Sequence, residues 1–112
     1  IGRVGYYCGS VHVTEPKAWV TDNAFITTYP MGCIDRDYLV FTLRSMNLGQ
    51  NNNATAQPVV SGKKIYPMLF PLPPLAEQKR IALRQRHTLQ QTEVYARLFT
   101  NLRLNQRFYV VL

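Results

Sequence analysis

Apolar and polar positions fall into three patterns along the chain. Over residues 1–29 they alternate, and Val, Tyr, Thr, Phe and Trp dominate. Gly2, Gly5 and Gly9 punctuate Val4-Tyr6-Tyr7 and Val11-His12-Val13-Thr14, which predicts two short strands with a turn near Gly9. Glu15-Pro16-Lys17 reads as a turn. Trp19-Val20-Thr21 and residues 24–28 read as further strands, with Asp22-Asn23 as a kink between them. The pattern then changes. Leu39, Leu43 and Met46 recur at helical spacing behind Asp35, a natural N-cap, and Gly49 ends the run. Residues 50–57 form a polar loop, and Val59-Val60 and Lys64-Ile65-Tyr66 read as short extended pieces around Ser61-Gly62.

The third pattern begins at residues 66–81, YPMLFPLPPLAEQKRI. Pro71, Pro73 and Pro74 fix φ and keep the residues before them extended. A proline suits the first turn of a helix, and Glu77 would face the positive end of the helix dipole. No Pro or Gly follows Pro74, so a helix can run to the end, roughly 50 Å at ~1.5 Å per residue. Leu75, Ala82, Leu89 and Ala96 make one heptad stripe on it. Ile81, Thr88, Tyr95 and Leu102 make another, with Phe99 beside it. Gln85, Thr88 and Thr92 interrupt this seam, and such a face needs a partner helix to cover it. The expected architecture is α+β: a small mixed, mostly antiparallel sheet with one packed helix, then a long C-terminal coiled-coil-like helix. Residues 1–72 form the body and residues 73–112 the arm.

Composition adds a charge bias. The 112-residue chain carries 13 Lys/Arg against 6 Asp/Glu, and residues 71–112 hold seven of the former against two of the latter. A basic balance suits a polyanionic partner, or equally a well-solvated arm. Cys8 and Cys33 lack CxxC spacing and are expected as free thiols in a reducing compartment. No run approaches the ~18 apolar residues of a membrane span, and no targeting segment is visible, so a cytoplasmic location is expected. The abrupt Ile1-Gly2-Arg3 start suggests that the chain begins inside a domain.

Little points to catalysis. His12 and Cys8 lie four apart with no second pair to complete a metal site, nothing orients a Cys–His nucleophile, and no phosphate-binding glycine loop is present. No metal and no cofactor is expected in this chain. Duplex DNA binding has more candidates. Arg3, Lys17, Arg44, Lys63 and Lys64 can reach phosphates or simply be solvated. Lys63-Lys64 after Ser61-Gly62 is the best placed of them. Gln57 and residues 50–53 offer paired donors and acceptors for base edges, or form a linker. Tyr6, Tyr7 and Trp19 offer faces for stacking, or form core. The resulting DNA-contact set is Arg3, Tyr6, Lys17, Gln57, Lys63 and Lys64.

Several separated pieces resemble one family, the specificity subunits of Type I restriction–modification enzymes. Gly2-Arg3-Val4-Gly5 resembles the family's R-x-G strand, and Trp19-Val20-Thr21-Asp22-Asn23-Ala24 its W-V-T-D-N-A element. Asp37-Tyr38-Leu39 with Leu43 is similar to its Y-L-x-x-x-L helix, and Ala56-Gln57-Pro58 with Ser61 and Ile65 to its Q-P-x-x-S loop. Residues 71–81, PLPPLAEQKRI, resemble its closing signature. The resemblance implies that residues 1–72 are part of a target-recognition domain and residues 73–112 a helical spacer. It implies a non-catalytic role: two recognition domains on paired helices read the two halves of a split DNA site. The helices hold methyltransferase subunits that bind S-adenosylmethionine, and a translocating nuclease subunit joins for cleavage. The spacer helix could pair with a second copy or with the other half of a longer chain. The competing expectation is a truncated interaction module that dimerises through this helix without binding DNA.

Overall fold

The computed structural model describes residues 1–49 and 59–105, with side chains of the last helix described as far as residue 98. Among the described residues three helices follow one another: α1 (Arg36–Ser45), α2 (Gly62–Ile65) and α3 (Leu75–Asn105). α1 starts where the sequence places its cap. Asp35 is extended, and its carboxylate accepts from the backbone N–H groups of Asp37 and Tyr38. Two otherwise orphaned helix donors are thereby satisfied. Tyr38 and Leu39 are buried, and Leu43 and the C-cap residue Met46 are half-buried.

The expected sheet does not form. Among the described residues the β-pairing amounts to two isolated antiparallel bridges, Gly2 with Ala24 and Val4 with Val59. The first segment lies between two neighbours. Phe25 N–H donates to the Ile1 carbonyl (2.7 Å), Arg3 N–H to Asn23 (2.8 Å), and Val60 N–H to Arg3 (2.7 Å). Each pairing stops after one bridge because the chain turns away. Gly5 takes φ 74°, Gly9 φ 81° and Lys17 φ 66°, and Ala24 N–H closes a turn on Thr21 (3.1 Å). The remaining Val-, Thr- and aromatic-rich segments have the composition of strands without a pleated neighbour to pair with, and β-propensity expresses fit to such a surface. Lys64-Ile65 is not extended either. The Ser61 carbonyl accepts from Lys64 (3.0 Å) and Ile65 (3.2 Å), which winds the single turn of α2.

Among the described residues the buried apolar side chains are Tyr38, Leu39, Leu48, Val60 and Ala82. They belong to α1, its C-terminal turn, the segment before α2, and α3. A Cβ on Gly9 would run into the Gly49 backbone, so the N-terminal turn rests directly on the turn that follows α1. Beside this contact an apolar cleft of about 580 Å³ opens between the N-terminal segments and α1, lined by Val11, Val13, Phe25, Tyr29, Leu39 and Leu43 among others. α3 packs its first turns on α1 and then leaves the body. The radius of gyration, 19.1 Å, accordingly exceeds the about 13 Å of a compact chain of this length.

Candidate nucleic-acid interface

Arg3 ties the N-terminal segments together. Its Nη1 donates to the Asp22 carbonyl (2.7 Å), and its guanidinium carbon sits 4.8 Å from the centre of the Phe25 ring. Its carbonyl accepts from the Cys8 thiol (3.2 Å) as well as from Val60. The half-buried guanidinium therefore faces the interior of the fold, with Nε buried and without a partner. Asp22-Asn23, read as a kink between strands, forms a turn, and the backbone carbonyls of the pair hold Arg3.

The aromatic residues stand out from this knot. The Gly5–Cys8 turn, closed by Cys8 N–H on the Gly5 carbonyl (3.0 Å), presents Tyr6 and Tyr7 edge to face at 5.3 Å. Tyr6 is 95% exposed and Trp19 92%, so neither is core. Next to the tyrosines lies a cleft of about 480 Å³ lined by Tyr6, Tyr7, Ser10, His12, Arg44 and Asn47 among others. Arg44 Nε donates to the Val11 carbonyl (3.1 Å), leaving its other guanidinium nitrogens beside the cleft. His12 Nε2 lies 3.0 Å from Ser10 Oγ. A stacking surface, a guanidinium and an imidazole thus share one opening, a combination suited to nucleotides.

The lysines are placed elsewhere. Lys17 is exposed at a turn tip with φ 66°, and Lys63 and Lys64 are exposed on α2, where Lys64 Nζ reaches the Val59 carbonyl (3.3 Å). None of the three lines the tyrosine cleft. Gln57 and residues 50–53 lie outside the described residues. His12 and Asn47 complete the cleft without having been legible as site residues. Their proximity arises from the Gly9–Gly49 approach and the Arg44–Val11 bond, which no local pattern announces.

The second construction is the base of α3. Gln78 is fully buried. Its Oε1 accepts from Asp35 N–H (2.9 Å), and its Nε2 donates to the carbonyls of Cys33 (3.0 Å) and Pro73 (2.8 Å). Tyr38 donates its hydroxyl to the Pro71 carbonyl (2.9 Å) and meets Phe70 edge to face. Four residues beyond Gln78, Ala82 is buried; four further on, Arg86 pairs with Asp37. This i, i+4, i+8 stripe is the face that α3 turns to α1.

A family model described as the Type I restriction modification DNA specificity domain matches residues 4–97. The chain belongs to this family. Neither the curated proteins nor the solved structures contain a match to it.

In this specificity domain the residues expected to meet a partner helix separate into two groups. Ala82 packs within the chain, and Leu75 and Ile81 are half-buried at the base of α3. Leu89, Tyr95 and Ala96 are exposed, as are Leu83, Val94 and Leu98. Phe99 and Leu102 belong to α3, with side chains outside the described set. Part of the basic run on the arm is neutralised locally. Arg80 bonds Glu77 at 2.7 Å, and that carboxylate holds the guanidinium above its ordinary pKa. Cys33 is an exposed thiol, and Cys8 is half-buried with its thiol on the Arg3 carbonyl. Among the described residues no cluster of His, Cys, Asp and Glu could hold a metal ion, and no helix is long and apolar enough to cross a membrane.

Proposed function

We propose that this specificity domain reads one half of a split duplex DNA site and does no chemistry itself. Tyr6, with Arg44 and His12 beside it, supplies the contact surface. Lys17, Lys63 and Lys64 hold phosphates. α3 is the spacer that sets the distance to a second recognition domain and docks methyltransferase subunits, through which a nuclease–translocase subunit joins. The spacer pairs with a second helix, either that of another copy or that of a longer chain.

One observation carries this reading: the specificity-domain match extends from the body, at residue 4, into the helix that leaves it, at residue 97. The exposed Leu89, Val94, Tyr95 and Leu98 support the pairing, since a lone helix gains nothing by keeping them in water. Selection from a random duplex pool at low salt tests the proposal. Enrichment of one short sequence, with binding that weakens steeply as salt rises, is the expected result. A chain that dimerises but shows no duplex affinity at low salt would be an interaction module instead.

A further inference from the structure

We propose that Gln78 is a positioning residue: it fixes the direction in which α3 leaves the body and thereby the separation of the two half-sites. The second clause rests on the split-site reading above. Gln78 is fully buried and bonded to three different segments: the N-cap residue of α1, the turn before it, and the proline exit. An apolar side chain of the same volume would fill this space and tolerate small rotations of α3. An amide satisfied by one donor and two acceptors tolerates only the orientation that satisfies all three, because breaking any of them strands a desolvated polar group. The other contacts on this face are less directional. Ala82 offers only close approach, and the Asp37–Arg86 pair is exposed, where ion pairs hold geometry weakly.

Length makes the direction matter. α3 continues to Asn105, about 40 Å beyond Gln78 at ~1.5 Å per residue. A tilt of roughly 5° at its base moves the far end by about 3.5 Å, the rise of one base pair. A loosely held base would blur the half-site spacing by at least that step.

The test places spin labels at Ser45→Cys and Arg97→Cys in a Cys8→Ser, Cys33→Ser background, diluted with unlabelled chain. Pulsed dipolar spectroscopy then measures the α1-to-arm distance. With Gln78 present, one narrow distribution is expected. Gln78→Met should widen it or move its centre by about 2.5 Å or more, the displacement of a ~5° tilt roughly 28 Å along α3, with helix content unchanged in far-UV circular dichroism. Gln78→Glu keeps the acceptor and loses both donors; it should act the same way, and it is the variant read if the Met form does not fold. Val60→Ala weakens the body away from the latch and should leave the distribution narrow. A Gln78→Met distribution as narrow as the parent's and centred alike, or equal widening in Val60→Ala, overturns the latch. On the same variants, affinity is measured against duplexes with graded half-site spacing. The parent should favour one spacing by about tenfold, and Gln78→Met should favour none. An unchanged spacing preference in a widened variant overturns the link to half-sites. A parent that binds no duplex removes that link together with the split-site reading, while the distance distribution still decides the latch.

Discussion

Tyr38 is where the body grips the exit to α3, and two substitutions there separate a hydrogen bond from a packed ring. Tyr38→Phe removes only the hydroxyl that donates to the Pro71 carbonyl at 2.9 Å. Pro71 is exposed, so water can replace the lost donor, and the cost falls at the low end of the usual range, about 0.5–1 kcal/mol. Tyr38→Ala also removes a ring that is 4% exposed and packed against Phe70 at 6.0 Å. Deleting a buried aromatic ring costs about 3–5 kcal/mol, the edge-to-face pair included. Domains of this size have roughly 5 kcal/mol or little more to lose, so the Ala variant should be close to unfolded. Urea titration by far-UV circular dichroism, at one fixed protein concentration because pairing would shift the midpoint, reads both values. With a slope near 1.5 kcal/mol/M, Tyr38→Phe should lower the midpoint by roughly 0.5 M. If Tyr38→Ala proved no worse than Tyr38→Phe, the ring would not be packed and α1 would not hold the proline-rich segment that leads into α3.

Three further outcomes are expected. Tyr6→Ala should weaken duplex binding by about 1–3 kcal/mol, the worth of one stacked base, with no change in thermal midpoint; fluorescence anisotropy and a melt on one sample decide it. Lys63→Ala should flatten the log–log salt dependence of binding by about 0.9, one phosphate contact, and an unaltered slope would place Lys63 off the DNA. Leu89→Glu with Tyr95→Glu should convert a paired species to monomer in sedimentation velocity while body stability holds, since both side chains are at least half exposed; a parent chain that is already monomeric at high concentration refutes the pairing.

α1 and α3 were legible because their determinants are local, whereas the single turn of α2 reads in the sequence as an extended piece. Asp35 caps the two N–H groups that follow it within three residues, and the proline exit with an uninterrupted run behind it announces α3. The sheet was not, because a strand exists only with a neighbour. Residues 11–14 and 24–28 carry strand composition, but the turns at Gly5, Gly9 and Lys17 limit pairing among the described residues to the two bridges at Gly2 and Val4. Gln78 was illegible for a related reason. A glutamine in a basic helical run looks solvated, and its burial depends on Cys33 and Asp35, 45 and 43 residues away. Ala82 sits in a stripe read as facing a partner helix, and at that turn the cover is α1 of the same chain.

The five family-like pieces sort themselves into two intramolecular knots. Arg3 of the R-x-G piece holds Asp22 and Asn23 of the W-V-T-D-N-A piece and accepts from Val60, between Pro58 and Ser61 of the Q-P-x-x-S piece. Tyr38 of the helix piece holds Pro71 of the closing signature, and Gln78 of that signature holds the cap of α1. The signature residues are thus largely spent on holding the scaffold. Tyr6, His12, Lys17 and Arg44 lie between these pieces, three of the four exposed on turns or loops and Arg44 at the end of α1. A scaffold with fixed knots and free intervals can present different side chains to a duplex without altering its own packing. Changes at Tyr38 or Gln78 should therefore register in stability and geometry, and changes at Tyr6 or Lys63 in binding alone.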